Sequence, residues 1–183
     1  ELGLVAANFD TELFGHWWME GVDWLTGVIK RMADSPTVQL TTASRYVGEH
    51  PPQTIMQLPE GSWGAGGTHF VWKNVDTEWM WPLIHAAERR MLTAVQSAVE
   101  RQPDGAEEQR LNQAGRELLL LQSSDWPFLV TTGQAREYAT ERFRQHLERF
   151  DVLLDGAVPA DQVQQIWEAD RIFPEIDYRW YAA

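Results

Sequence analysis

The segment Asp10-Thr11-Glu12-Leu13-Phe14-Gly15-His16-Trp17-Trp18 gathers groups able to move a proton and to hold a ring. It follows the apolar run Gly3–Phe9 (GLVAANF), which reads as a short buried strand. Asp10 then stands at the carboxy-terminal end of that strand. In barrels of alternating strands and helices, this is the end that presents catalytic groups. Glu12 shares a face with Asp10 only if the strand continues, because side chains alternate along it. A carboxyl group so placed suits general acid/base work. The same residues also read as a capping aspartate above an aromatic core.

A second segment, Glu60-Gly61-Ser62-Trp63-Gly64-Ala65-Gly66-Gly67-Thr68-His69-Phe70-Val71-Trp72, is a loop. Its glycines let backbone approach a ligand and permit positive φ. It is not a phosphate cradle, since no Lys-Ser/Thr follows and no helix starts there. A tryptophan between glycines is expected to be exposed, and an indole face offers a platform for the C–H face of a sugar ring. The alternative is an ordinary loop pinned by Trp63. A third candidate, Ser123-Ser124-Asp125-Trp126-Pro127, lies between two helices, where such residues commonly cap. The histidines at 16, 50, 69, 85 and 146 lack the helical two-histidine spacing of a zinc site. His146 falls on an apolar helix face and is expected to be a satisfied core residue. No metal and no cofactor are expected.

The elements that must position these groups fall into two textures. Residues 1–75 are rich in Gly, Pro, Thr and Trp, with short extended segments at Val38–Leu40 and Thr54–Leu58 and one helix over Asp23–Met32 closed by Pro36. Residues 76–183 are helical. Leu83, Ala87, Met91, Val95 and Val99 line one helix, with Pro82 confined to its first turn. Pro103-Asp104-Gly105 breaks the chain before a second helix carrying Leu111, Ala114, Leu118 and Leu121. Thr131 or Thr132 is expected to cap a third, whose core face runs Ala135, Tyr138, Ala139, Phe143, His146, Leu147, Phe150 and Leu154. Arg144 and Glu148, four apart, should pair outside. A fourth helix spans 160–169, before the aromatic tail Phe173–Tyr181. The fold class expected is mainly α, a helical bundle preceded by a short β/loop remnant from the end of an incomplete (β/α) barrel.

Composition narrows the partners. A net charge of −12 and a pI near 4.7 disfavour nucleic acid and anionic membranes. No apolar run approaches the roughly 20 residues of a membrane span. The lack of cysteine removes disulfides and thiol chemistry and suits a reducing cytosol, so a soluble, cytoplasmic chain is expected. Ten tryptophans are many, and a neutral, hydroxyl-rich polymer is compatible with both charge and indoles.

The run Phe9-Asp10-Thr11-Glu12-Leu13-Phe14-Gly15-His16-Trp17-Trp18 resembles the fourth conserved motif of the family 57 glycoside hydrolases. Gly61-Ser62-Trp63-Gly64…Trp72 resembles the region where that family's branching enzymes set two tryptophans along the glucan cleft. Arg116–Phe128 and Phe173–Arg179 are similar to the helical domain that follows their barrel. Asn8 and Met19 depart from the usual proline and aromatic, at positions without chemistry. The resemblance implies that Asp10 is the acid/base of a retaining α-glucan enzyme and that Trp63 and Trp72 hold glucan. His16 and Trp17 would shape the site beside Asp10, and Asp125 with Trp126 would reach it from the helical domain. Retention needs two carboxyl groups about 5–5.5 Å apart. The family's nucleophile is a glutamate on an earlier barrel strand, so this chain on its own is expected to be inactive and to need the amino-terminal barrel segment as partner.

Overall fold

The computed structural model describes residues 3–156 and 158–182. Two compact units divide between Leu58 and Pro59. Among the described residues there are seven α-helices and no β-sheet.

In the first unit, α1 (Gly21–Ala33) and α2 (Ala43–Glu49) are joined by extended chain. The Thr42 hydroxyl accepts from the Arg45 N–H at 3.3 Å and caps α2. Phe9, Phe14, Trp18 and Trp24 form a chain of ring contacts with centroids 5.1–6.5 Å apart. Gly21 lets this cluster close, for a Cβ there would meet Phe14 and Trp18 at 3.0 Å. The expected strands are not formed: Gly3–Phe9, Val38–Leu40 and Thr54–Leu58 are irregular and exposed. A strand is made by a neighbour that takes up its N–H and C=O groups. Among the described residues no segment lies alongside these three to do so.

The second unit holds α3 (Met80–Arg101), α4 (Gly105–Leu121), α5 (Asp125–Thr132), α6 (Arg136–Asp155) and α7 (Ala160–Ala169). Pro82 sits in the first turn of α3, where its missing N–H has no helical acceptor to lose. Gln102 turns left-handed at φ 55° to end α3, and Asp104 then caps α4 by accepting from the Glu107 N–H at 2.8 Å. The α4 stripe Leu111, Ala114, Leu118 and Leu121 is buried as its spacing predicts. The buried face of α3 is Met80, Ile84, Ala87, Met91, Val95 and Ala98, with Leu83 and Val99 turned outward. On α6, Ala139, Phe143, His146, Phe150 and Leu153 are buried, and Tyr138 is 59% exposed. Each large apolar side chain so buried contributes about 1.5–3 kcal/mol.

Three details of the helical unit differ from expectation. The threonines at 131 and 132 end α5 instead of capping α6, because Gly133 takes φ 72° and closes the helix behind them. The Ser123–Pro127 stretch is not only a turn: its last three residues are the first turn of α5. Arg144 lies over the Trp79 ring at 5.6 Å instead of pairing with Glu148, since a large indole within reach offers a cation–π contact. The tail folds back over α3 and α4, where the Tyr181 hydroxyl donates to the Gly115 carbonyl at 3.0 Å. No described helix is long and apolar enough to cross a membrane.

Candidate functional site

The candidate residues are distributed over both units, which are described in turn. In the first, Asp10 ends the exposed amino-terminal stretch, and its carbonyl accepts from the Leu13 N–H at 3.1 Å, opening a tight irregular turn. Gly15 sits at φ 90°, a value that L side chains rarely adopt. Its N–H donates to the Trp18 carbonyl at 2.9 Å, while the Trp18 N–H returns to the Leu13 carbonyl at 2.9 Å. This knot drives Trp18 into the aromatic cluster and leaves His16 and Trp17 facing out, ring edge to ring face at 5.2 Å. Trp17 is 77% exposed, a large indole with no core to fill. The Asp10 and Glu12 carboxylates are both exposed, free to meet a ligand.

In the second unit the glycine-rich loop is held rigidly. The Ser62 hydroxyl donates to the Thr68 carbonyl and accepts from the Gly64 N–H at 2.9 Å, and the Ser62 N–H donates to the Gly67 carbonyl at 3.0 Å. Gly66 and Gly67 lie at φ 66° and 72°. Gly64 must be glycine, since a Cβ would stand 2.9 Å from the Trp72 ring. The product of this bracing is a platform. Trp63 is 77% exposed, stands edge-to-face on Trp72 at 4.9 Å, and meets Phe128 at 6.0 Å.

Trp72 is fixed from behind: its carbonyl accepts from the Thr77 hydroxyl at 3.0 Å and the Trp81 indole N–H at 3.1 Å. The Asn74 amide bridges the Phe70 carbonyl and the Thr131 hydroxyl, each at 2.8 Å, which ties the loop to α5. Phe128 and Asn74 were not singled out in the sequence. The visible signal for Phe128 was its place directly after Asp125-Trp126-Pro127, one helical turn from the exposed aspartate.

Asp125 is exposed in the first turn of α5, within 3.3 Å of the Ser123 hydroxyl, which donates to it. Trp126 does not reach outward and is corrected to a core residue. It is 9% exposed, its indole N–H donates to the Leu120 carbonyl at 2.7 Å, and its ring stacks on His146 at 5.9 Å. An indole with its donor engaged and its face covered presents nothing to a ligand.

Beneath Trp126 lies a buried polar network. His146, wholly buried, donates from Nδ1 to Glu117 at 2.8 Å, and its Nε2 accepts from Arg142 at 3.0 Å, which sets the ring's tautomer. Glu117 also accepts from the Gln113 amide at 2.8 Å. Asp170 is held by Arg142 at 3.2 Å and by Arg149. Glu117, His146 and Asp170 offer three ligand atoms within 4.8 Å of one another, a set with the chemistry to hold a cation. Here each of those atoms is engaged by a protein donor or acceptor, and two guanidinium groups already balance Asp170. The arrangement ties α4, α6 and α7 together, and His146 is the satisfied core residue that its position predicted.

Residues 83–181 match the family described as 1,4-alpha-glucan branching enzyme, C-terminal. A 1,4-alpha-glucan branching enzyme of Thermococcus kodakarensis is 45% identical over 159 residues, 86% of this chain and 23% of that protein. The crystal structure of a GH57 branching enzyme from Thermococcus kodakaraensis, in complex with glucose and additives, superposes with a TM-score of 0.72 at 38% identity. That alignment covers 100% of this chain and 34% of the other. The alpha-amylase AmyC of Thermotoga maritima superposes with a TM-score of 0.62 at 34% identity, covering 96% of this chain and 32% of its own. The chain thus spans about a quarter to a third of the length of these relatives.

Proposed function

We propose that this chain, which belongs to the 1,4-alpha-glucan branching enzyme C-terminal family, acts as the carboxy-terminal part of a retaining branching enzyme that cuts α-1,4 linkages and rejoins the chain at a 6-hydroxyl. The observation that carries the reading is the match of residues 83–181 to the branching enzyme C-terminal family. Residues 1–75 would contribute the acid/base segment and the tryptophan loop, and 76–183 the helical domain after the barrel. The substrate would be a glycogen-like glucan in the cytoplasm.

In this reading a glutamate from polypeptide outside these residues attacks the anomeric carbon while Asp10 protonates the leaving oxygen. The ionised Asp10 then takes the proton of an acceptor 6-hydroxyl, which attacks the glycosyl-enzyme bond, forms the α-1,6 linkage and frees the glutamate. Trp63, seated on Trp72 and Phe128, offers the flat apolar face that glucan stacking needs. His16 and Trp17 shape the site beside Asp10. Asp125 is a hydrogen-bonding group at the start of α5, a helix that Trp126 anchors from within.

The likeness to an alpha-amylase favours a second reading, hydrolysis of the same linkage by water. The test is an assay of the complete enzyme on amylose. New 1,6 linkages support branching, net reducing ends support hydrolysis, and longer linear chains indicate disproportionation.

A further inference from the structure

A cavity of about 380 Å³ opens between α4, α7 and the carboxy-terminal tail. It lies within the size range of ligand sites, roughly 300–1,000 Å³. The residues that matter on its walls are Gln109, Asn112, Arg116, Gln164, Trp167 and Pro174. None belongs to the tryptophan loop or to the acid/base segment.

Arg116 is the unusual member, for it is only 3% exposed and no carboxylate pairs with it directly among the described residues. Burial lowers its pKa from the ordinary arginine value. Its guanidinium donates instead to the Ile172 carbonyl, the Phe173 carbonyl at 3.1 Å and the Gln113 side-chain oxygen at 2.5 Å. A guanidinium has five N–H donors, so both terminal nitrogens keep donor capacity. Phe173, directly before Pro174, is held at φ 51°, a conformation unfavourable for a bulky residue and doubly so before proline. Strain of this kind persists where surrounding structure enforces it, and it gathers at ligand sites. Here Arg116 enforces it and thereby sets the Pro174 wall.

The amides supply both kinds of hydrogen-bonding group. Asn112 accepts from the Tyr178 N–H at 2.7 Å, leaving its NH₂ to donate. Gln164 donates to Glu168 at 3.0 Å, leaving its oxygen to accept. Gln109 is exposed and unengaged among the described hydrogen bonds. Trp167 adds an indole. Arg116, already tied to three acceptors, is a poor anion trap, and Arg171 is taken up over the Trp167 ring at 6.0 Å, whereas amide donors and acceptors beside an indole match vicinal hydroxyls above an apolar sugar face.

We propose that this cavity is a second, non-catalytic glucan-binding site, which holds a segment of α-glucan chain against the helical unit. The choice of α-glucan among neutral polyhydroxy ligands rests on the proposed function.

The test is titration of the complete enzyme, with ¹⁵N-labelled tryptophan indoles, against maltoheptaose and separately against inorganic phosphate. Maltoheptaose should shift the Trp167 and Trp63 indole resonances with separate saturation, and phosphate should shift neither. Trp167→Ala, which removes its own reporter, should weaken the second binding event by about tenfold, ~1.4 kcal/mol, when read by calorimetry, and leave the Trp63 shift unchanged. Gln109→Ala, at an exposed position that cannot threaten the fold, should weaken the Trp167 shift by about three- to tenfold. If Trp63 responds to maltoheptaose and Trp167 does not, the second site is wrong and the proposed function stands. If Trp167 responds to phosphate alone, the cavity is an anion site and the inference is overturned. If neither indole responds to maltoheptaose, both readings fall.

Discussion

Replacing Trp63 by alanine tests whether the loop platform holds glucan. The ring is 77% exposed. An indole side chain carries about 150–250 Å², so about 115–190 Å² is open. If glucan covers half of that, about 60–95 Å² is lost, worth about 1.5–2.4 kcal/mol at ~25 cal/mol per Å². Catalytic efficiency of the complete enzyme on amylose should therefore fall roughly 10- to 60-fold.

The fold should survive. The edge-to-face contact with Trp72 contributes about 0.5–1.5 kcal/mol, small against a domain stability of about 5–15 kcal/mol. The assay pairs steady-state kinetics on amylose with a thermal melt of the same variant. Unchanged kinetics would refute a role in binding. A loss that merely tracked the unfolded fraction would reduce Trp63 to a loop pin.

Two further substitutions probe the helical unit. Glu117→Ala strands the Gln113 amide and the His146 Nδ1–H in a wholly buried site, so chemical denaturation should show a loss of about 3–5 kcal/mol. Burial pushes the Tyr181 hydroxyl up to about 12. Its stabilising contribution is thus complete below the unfolded value near 10 and is lost as pH rises from about 10 to 12. Tyr181→Phe should remove that alkaline loss, seen as a flatter stability profile above pH 10, and forfeit about 0.5–1.5 kcal/mol at neutral pH with the Gly115 hydrogen bond.

What was legible in the sequence follows the range of the interaction involved. The α4 stripe and the bounds of α7 were readable because a 3.6-residue period is a local property. Gly3–Phe9 was not, because strand formation depends on a neighbour elsewhere, and an apolar run alone does not say whether one is present. The start of α5 was hidden because Ser-Ser-Asp and Pro127 look like a turn, although proline suits a helix's first turn. Trp63 and Trp126 are chemically identical and end up on opposite sides of the surface. Glycine neighbours marked the exposed indole, whereas burial of Trp126 depended on His146 and Leu120, contacts that no local pattern reveals. The network joining Glu117, His146 and Asp170 was invisible for the same reason: its members lie on α4, on α6 and directly after α7. Tyr138 was misplaced because the apolar stripe of α6 begins at Ala139.

The most direct test of the account concerns Asp10 in the complete enzyme. Asp10→Ala should remove both proton transfers, each worth about 10²–10⁴-fold in such reactions. An α-glucosyl fluoride, whose leaving group needs no acid, should restore formation of the glycosyl-enzyme. Azide, which needs no base, should then accelerate its breakdown and give the α-glycosyl azide, because it enters from the face that Asp10 has vacated. A β-glycosyl azide would make Asp10 the nucleophile, and full activity of Asp10→Ala would contradict any catalytic role for it.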